Sequence, residues 1–183
     1  MLGPDDRLPS PPRRILIAGV TGSGKSTLAR RIAASLDLPY TELDSLYHGE
    51  NWVPRETFRE DVDRLTAGDR WVIEWQYRQV RALLADRADA LVWLDYPVAV
   101  SLARVIRRTL RRSLTREALW NGNVEPPLRS IFTDEDHIIR WAIRTRSSYR
   151  SLVPELETSH PQLSVVRLRS QRQVERWLAA LSA

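Results

Sequence analysis

The sequence predicts an α/β protein: a parallel sheet with helices on both faces, stacked in three layers. Two observations carry the prediction. Short, continuously apolar runs alternate with stretches of helical periodicity, as strands buried on both faces do when crossover helices link them. The first run leads into a glycine-rich loop that opens directly into a helix, and in such sheets ligands sit at the C-terminal ends of the strands. At 183 residues the chain suits one domain, able to bury ~70% of its unfolded surface.

Taken in order, residues 1–13 are proline-rich, with Gly3, Asp5 and Asp6 among them, and read as a disordered tail ahead of a domain over residues 14–183. "RILIA" (14–18) is the first strand, and "STLARRIAASL" (26–36) is a helix with Leu28, Ile32 and Leu36 on one face. "YTEL" (40–43) is a weak strand leading to Asp44. Pro54 opens a helix that Gly68 closes. "RWVIEW" (70–75) is a strand, residues 78–86 a helix, and "ALVWLD" (90–95) a strand. Pro97 opens a long helix towards residue 112. The loop "WNGNVEPP" (120–127) precedes a helix over about 134–150, and "LSVVRL" (163–168) completes a five-stranded parallel sheet. Ser170 and Gln173 form a capping box for the last helix.

Composition removes several chemistries. There is no cysteine, hence no disulfide and no cysteine-based zinc site. The three histidines, His48, His137 and His160, have no metal-ligand spacing. No run approaches the ~20 apolar residues that span a bilayer, so a cytoplasmic protein without a membrane partner is expected. A net charge of +5 favours anionic partners, whether nucleotides, phosphorylated metabolites or nucleic acid.

The most specific signal is "GVTGSGKST" (19–27), in which Gly19, Gly24, Lys25 and Ser26 satisfy G-x-x-x-x-G-K-[ST] between a strand and a helix. Gly19, Gly22 and Gly24 let the backbone curl so that successive N–H groups face phosphate oxygens. The candidate nucleotide-binding set is Gly19, Thr21, Gly22, Ser23, Gly24, Lys25, Ser26 and Thr27. Ser26 is the expected Mg²⁺ ligand. Lys25 is the only lysine in a chain whose other basic residues are arginines. Its compact ammonium on a flexible stem can bridge β- and γ-phosphates inside a ring of amides, where a planar guanidinium is too wide.

Three acids fall where strands should end: Asp44, Glu74 and Asp95. Phosphoryl transfer needs Mg²⁺ supported and an acceptor hydroxyl oriented, and carboxylates do both. Asp95 has a second reading, as an acid that stabilises the start of the following helix. Together "GVTGSGKST", "LDSLYHGENW" (43–52), "WVIEWQYR" (71–78) and "LVWLDYP" (91–97) resemble the adenylate-kinase-like P-loop proteins often labelled DNA topology modulation proteins. More broadly they resemble the nucleoside monophosphate kinase and shikimate kinase superfamily, over residues 13–182. The resemblance implies a three-layer αβα P-loop NTPase fold. It implies that Asp44 meets the acceptor, that Glu74 supports the metal, and that Arg78 takes the place of an acceptor-phosphate arginine. The chain departs from that pattern with Glu74 for Asp, Trp75 for Gly and Tyr77 for Pro.

Arg104, Arg107, Arg108, Arg111 and Arg112 recur at helical spacing, and no acid lies between Tyr96 and Arg116. With Ala99, Leu102, Ala103, Ile106 and Leu110 opposite, the helix is expected to pack its apolar side and present a guanidinium ladder. Read through the resemblance, this is an arginine-rich lid over about residues 111–132, with "WNGNVEPP" as its mobile tip and Trp120 as a contact. Arg104 and Arg108 would neutralise charge in transfer. The other reading is a solvated basic face. Trp52, Trp75 and His48 lie close to the acceptor acids in sequence.

The expectation is an ATP- and Mg²⁺-dependent kinase acting on a nucleoside, nucleotide or similar anionic or hydroxylated small molecule. Catalytic candidates are Lys25, Asp44, Glu74, Arg78, Arg104 and Arg108; metal candidates are Ser26 and Glu74. The alternative is a nucleotide-binding module acting on DNA or a protein partner. The sequence leaves the acceptor and the oligomeric state open.

Overall fold

The computed structural model describes residues 1–115, 118–135 and 137–181. Its centre is a four-stranded parallel sheet of β1 (Arg14–Gly19), β2 (Trp71–Glu74), β3 (Ala90–Leu94) and β4 (Ser164–Leu168), in the order β2-β1-β3-β4. Side chains alternate across each strand, so each face closes its own core. One face carries Leu16, Ala18, Ile73, Leu91, Trp93 and Val165. It packs against the second helix (Leu43–Tyr47), the third (Phe58–Leu65), the fourth (Arg78–Arg87) and the seventh (Tyr149–Ser159), here α2, α3, α4 and α7. The other face carries Ile15, Ile17, Val72, Val92, Leu94, Val166 and Leu168 against α1 (Lys25–Leu36) and α8 (Gln171–Leu181). The three predicted layers are present. Two further helices, α5 (Val98–Thr115) and α6 (Ile138–Arg144), pack on each other beside the glycine loop.

Among the described residues four strands form, not five. Tyr40 makes a single bridge to Val72, and Pro39 contributes only its carbonyl, to the Val72 N–H at 2.9 Å. The Leu43 N–H donates to the Glu74 carboxylate at 3.2 Å while α2 begins, so a second rung cannot follow. Pro54 opens no helix. It bridges His48 in the antiparallel sense, and α3 starts at Phe58. The helix expected over 134–150 is two, α6 and α7, divided at Thr145–Ser148; residue 136 lies outside the described residues. Pro154, a breaker by sequence, sits inside α7. The tail expected to be disordered is anchored instead. The Leu2 N–H donates to Val165 O at 2.7 Å, its carbonyl accepts from the Arg167 N–H at 2.8 Å, and Leu2 and Leu8 pack on the α1/α8 layer. The capping box forms in shifted register. Ser170 Oγ accepts from the Gln173 N–H, but Gln173 Oε1 accepts from the Arg169 N–H.

Asp89 fastens the N-terminal edge of the sheet. Its carboxylate accepts from the Arg13 and Arg14 N–H groups at 3.0 and 2.9 Å and from the Arg14 guanidinium at 3.1 and 2.6 Å. Partial burial works against the charge, but the Arg14 hydrogen bonds and the two backbone donors outweigh it and hold the carboxyl below its ordinary range. A carboxylate with a depressed folded pKa stabilises above its unfolded pKa, and that stabilisation is lost as pH falls through the folded value. Asp89→Asn should therefore cost about 1–3 kcal/mol near neutral pH. In urea melts across pH, the gap between wild type and variant should close on acidification below about pH 4. A gap that stays constant into acid would remove the ionic explanation.

Candidate active site

The glycine loop spans Val20–Gly24 between β1 and α1, with Gly19, Gly22 and Gly24 at φ 151°, 79° and 95°. Space explains Gly22 as well as conformation. A Cβ there would lie 2.3 Å from Ser101 O and 2.6 Å from Val105 Cγ2, so α5 rests directly on the loop. At Gly24 only the left-handed φ matters, since an added Cβ would meet nothing nearer than Arg104 Nη1 at 3.7 Å.

Lys25 begins α1 and folds back over the loop, its Nζ donating to Val20 O at 3.4 Å. Lys25 is partly buried, and desolvation pushes its ammonium below the ordinary lysine range. Glu74 and Asp44 pull it back up, and Arg108 pushes it down again. Glu74, at the end of β2, is 1% exposed. Its two oxygens accept from Tyr40 Oη at 2.8 Å and from the Leu43 N–H at 3.2 Å. Burial raises its pKa, opposed by Tyr40, Leu43, Lys25 and the Ser26 hydroxyl. Asp44, in the first turn of α2, accepts at Oδ1 from Tyr77 Oη at 2.6 Å and from Gln76 Nε2 at 2.7 Å. The structure thus brings together Lys25, Ser26, Asp44 and Glu74.

Helix α5 is turned opposite to the expectation. Ser101, Val105 and Thr109 face inward, while Ile106, Leu110 and Leu114 are 37%, 42% and 82% exposed. The Ser101 carbonyl and the Val105 side chain press directly on Gly22, and that contact turns this side of the helix inward. Arg104, Arg108 and Arg112 lie on the partly buried flank, whereas Arg107 and Arg111 are exposed. Arg104 Nη1 donates to Ser23 O at 3.2 Å, and its guanidinium lies 4.9 Å from the Tyr96 ring centre. Arg108 is partly buried. Burial and then Arg112 depress its pKa, while Glu125, Asp44 and Glu42 counteract. Arg112 pairs with Glu125 at 3.0 Å, with 16% and 8% of the two side chains exposed.

The segment expected as a mobile lid tip is docked. Asn123, 5% exposed, accepts from the Trp52 N–H at 3.0 Å and donates to Gly49 O at 2.8 Å; Trp52 Nε1 donates to Val124 O at 3.2 Å. His48 packs edge-on to Trp52 at 5.0 Å and stacks with Trp120 at 6.3 Å. Inward-facing arginines come from α5 itself instead of from a lid over 111–132, of which residues 116 and 117 lie outside the described residues.

Two candidates stand apart. Arg78 is exposed at the first residue of α4 and, among the described residues, hydrogen-bonds to no site group. The cation on that side is Arg81, one turn later, 5.4 Å from the Trp75 ring and 5.6 Å from the Tyr149 ring. In α4 the first residue points outward, and only a sequence reading that followed the helix to i+3 finds Arg81. Asp95 is occupied structurally. It accepts from Arg167 Nε at 2.9 Å and lies 3.6 Å from Arg150. Tyr40 joins the site without a motif to announce it, and Gln76 and Tyr77 join it from the "WVIEWQYR" segment, where neither carried an expected role. Beside the loop runs a groove of about 290 Å³, lined by Ser23, Gly24, Thr27, Tyr96, Arg104 and Gln171 among others. No group of three or more acidic or histidine ligands exists among the described residues, and no described helix is long and apolar enough to cross a membrane.

No family model matches the chain. Over 67 residues, 34% of the chain, it is 42% identical to a bifunctional pantoate ligase/cytidylate kinase of Synechococcus sp. (strain JA-2-3B'a(2-13)), and the match covers 12% of that protein. Over 119 residues, 55% of the chain, it is 27% identical to a shikimate kinase of Zymomonas mobilis, covering 66% of it. The chain thus spans less than two thirds of the length of these curated relatives. Among solved structures, the gluconokinase from Sinorhizobium meliloti 1021 aligns with a TM-score of 0.50 at 21% identity, over 97% of this chain and 94% of that one. The shikimate kinase from Bacteroides thetaiotaomicron aligns at 0.51 and 19%, over 93% and 96%. The fold is that of the small α/β P-loop kinases.

Proposed function

We propose that this protein is an ATP- and Mg²⁺-dependent small-molecule kinase that transfers the γ-phosphoryl group to a nucleoside, nucleotide or similar hydroxylated acceptor. One observation carries the reading: two partly buried cations, Lys25 and Arg108, share the mouth of the glycine loop with the carboxylates of Asp44 and Glu74. The two cations match a nucleotide's terminal phosphates, and the two carboxylates match a metal ion and an acceptor hydroxyl. Lys25 and the loop amides hold the β- and γ-phosphates, and Arg108 with Arg104 offsets charge that develops during transfer. Asp44 orients the acceptor hydroxyl and takes its proton. The groove between Arg104 and Gln171 would take the nucleoside part of ATP.

The residues present fit magnesium. The Ser26 hydroxyl lies close enough to the Glu74 carboxylate to favour its charged form, so a hydroxyl and a carboxylate, both hard oxygen donors, adjoin the phosphate position. Ser26 would hold the ion with Glu74 behind it. When bound, Mg²⁺ neutralises charge on the β- and γ-oxygens. The motif likeness to DNA topology modulation proteins rests on the loop, the Asp44 segment and the Glu74 segment, and the same chemistry would serve that branch. The DNA-directed alternative loses support because Arg104 and Arg108 turn into the site.

The test is ATP consumption by the purified full chain with Mg²⁺ over an acceptor panel of nucleosides, cytidine monophosphate, shikimate and gluconate, with water as the baseline. At least one acceptor should raise turnover above that baseline. A chain that binds ATP yet consumes none with any acceptor would not be a kinase of this class.

A further inference from the structure

Strand β2 hands over to α4 through Trp75, Gln76 and Tyr77, and the turn is tight. The Gln76 N–H donates to Glu74 O at 3.2 Å and the Val80 N–H to Tyr77 O at 3.0 Å. Tyr77 sits at φ 58°, ψ 104°. Glycine adopts positive φ freely, whereas a residue with a large side chain is strained there and persists only when its surroundings over-determine it. Strain of this kind gathers at functional sites.

The surroundings that hold Tyr77 converge on one carboxylate. Its ring stacks on Tyr47 at 4.2 Å and meets Phe58 edge-on at 5.1 Å. Its hydroxyl donates to Asp44 Oδ1 at 2.6 Å, with His48 Nε2 3.3 Å away on the other side. Gln76, its neighbour in the same turn, donates to the same oxygen at 2.7 Å. Burial and the adjacent Asp44 push the Tyr77 phenol upward, so it keeps its proton and remains the donor. No hydrogen bond to Asp44 Oδ2 occurs among the described residues.

We propose that Tyr77 is the positioning residue of Asp44. With Gln76 it saturates Oδ1, fixes the rotation of the carboxylate and leaves Oδ2 as the oxygen that meets the acceptor hydroxyl. The strained backbone accompanies this reach: at φ 58° the side chain one residue before α4 meets the first turn of α2. A glycine turn could make the same reversal but could not clamp the acid. The role rests on the kinase reading given above.

Tyr77→Phe keeps the ring and deletes the hydroxyl. In the full chain, with MgATP and the acceptor panel, water included, kcat should fall on the order of 10- to 100-fold, the worth of one hydrogen bond to a charged group, with KM for ATP unchanged. In an Asp44→Asn background, Tyr77→Phe should cause no further loss, because the two act as one unit. Should Tyr77→Phe fail to fold, Gln76→Ala removes the other donor to the same oxygen and carries the same expectation. Wild-type kcat in these variants, or an equal loss in both backgrounds, overturns the positioning role and leaves the kinase reading intact. A wild-type chain that consumes no ATP with any acceptor overturns both.

Discussion

Lys25→Ala is expected to reduce ATP turnover by on the order of 10³-fold or more, the range seen when a principal charge on a transferring phosphoryl group is removed. Nothing nearby can replace it. Arg108 is a neighbouring cation, but it belongs to α5 and pairs its environment with Arg112 and Glu125. Lys25→Arg should fail nearly as badly, since the guanidinium must fit where an ammonium already reaches the Val20 carbonyl. Folding should survive the change. Burial holds the ammonium below its ordinary pKa, so the charged form costs the folded state stability, and removing it returns that cost. Initial rates measured beside thermal melts check both halves. A variant that melts earlier and loses activity in proportion would assign Lys25 a structural role.

Asp44→Asn should lower kcat by about 10²- to 10⁴-fold, the usual worth of a positioned general base. The substitution is close to isosteric. The amide oxygen can still accept from Tyr77 and Gln76, so the clamp and the surrounding aromatic packing remain. What disappears is the negative charge and the ability to take a proton. KM for ATP should change little, because the nucleotide side proposed above uses the glycine loop, Lys25 and α5, not Asp44. Single-turnover assays with the best acceptor separate the two effects. Full activity in Asp44→Asn would remove the base assignment.

The phosphate loop, its strand and helix, and the αβα layering were legible because each depends on neighbours in sequence. Gly19, Gly24, Lys25 and Ser26 lie within eight residues, and their chemistry follows from local backbone geometry. Asp44 and Glu74 were legible as acids after apolar runs. Arg78 was not, because a helix's first turn can point anywhere relative to a partner 30 residues away. Asp95 met the same pattern as Glu74, and only the placement of Arg167 and Arg150 around it decides that it is an ion-pair partner.

The sequence by itself therefore determined the glycine loop and the helix it opens, the phosphate cradle of the proposed function, since a curled glycine backbone and a helix N-terminus form from contiguous residues. Tertiary structure decided the rotation of α5, because burial follows the tightest contact, Gly22 on Ser101, rather than the longest apolar stripe. It decided that "YTEL" is one bridge and not a strand, because the Leu43 N–H that would extend the ladder is taken by Glu74. It also decided which donors clamp Asp44, for Tyr77 reaches the acid through a backbone angle that no propensity predicts.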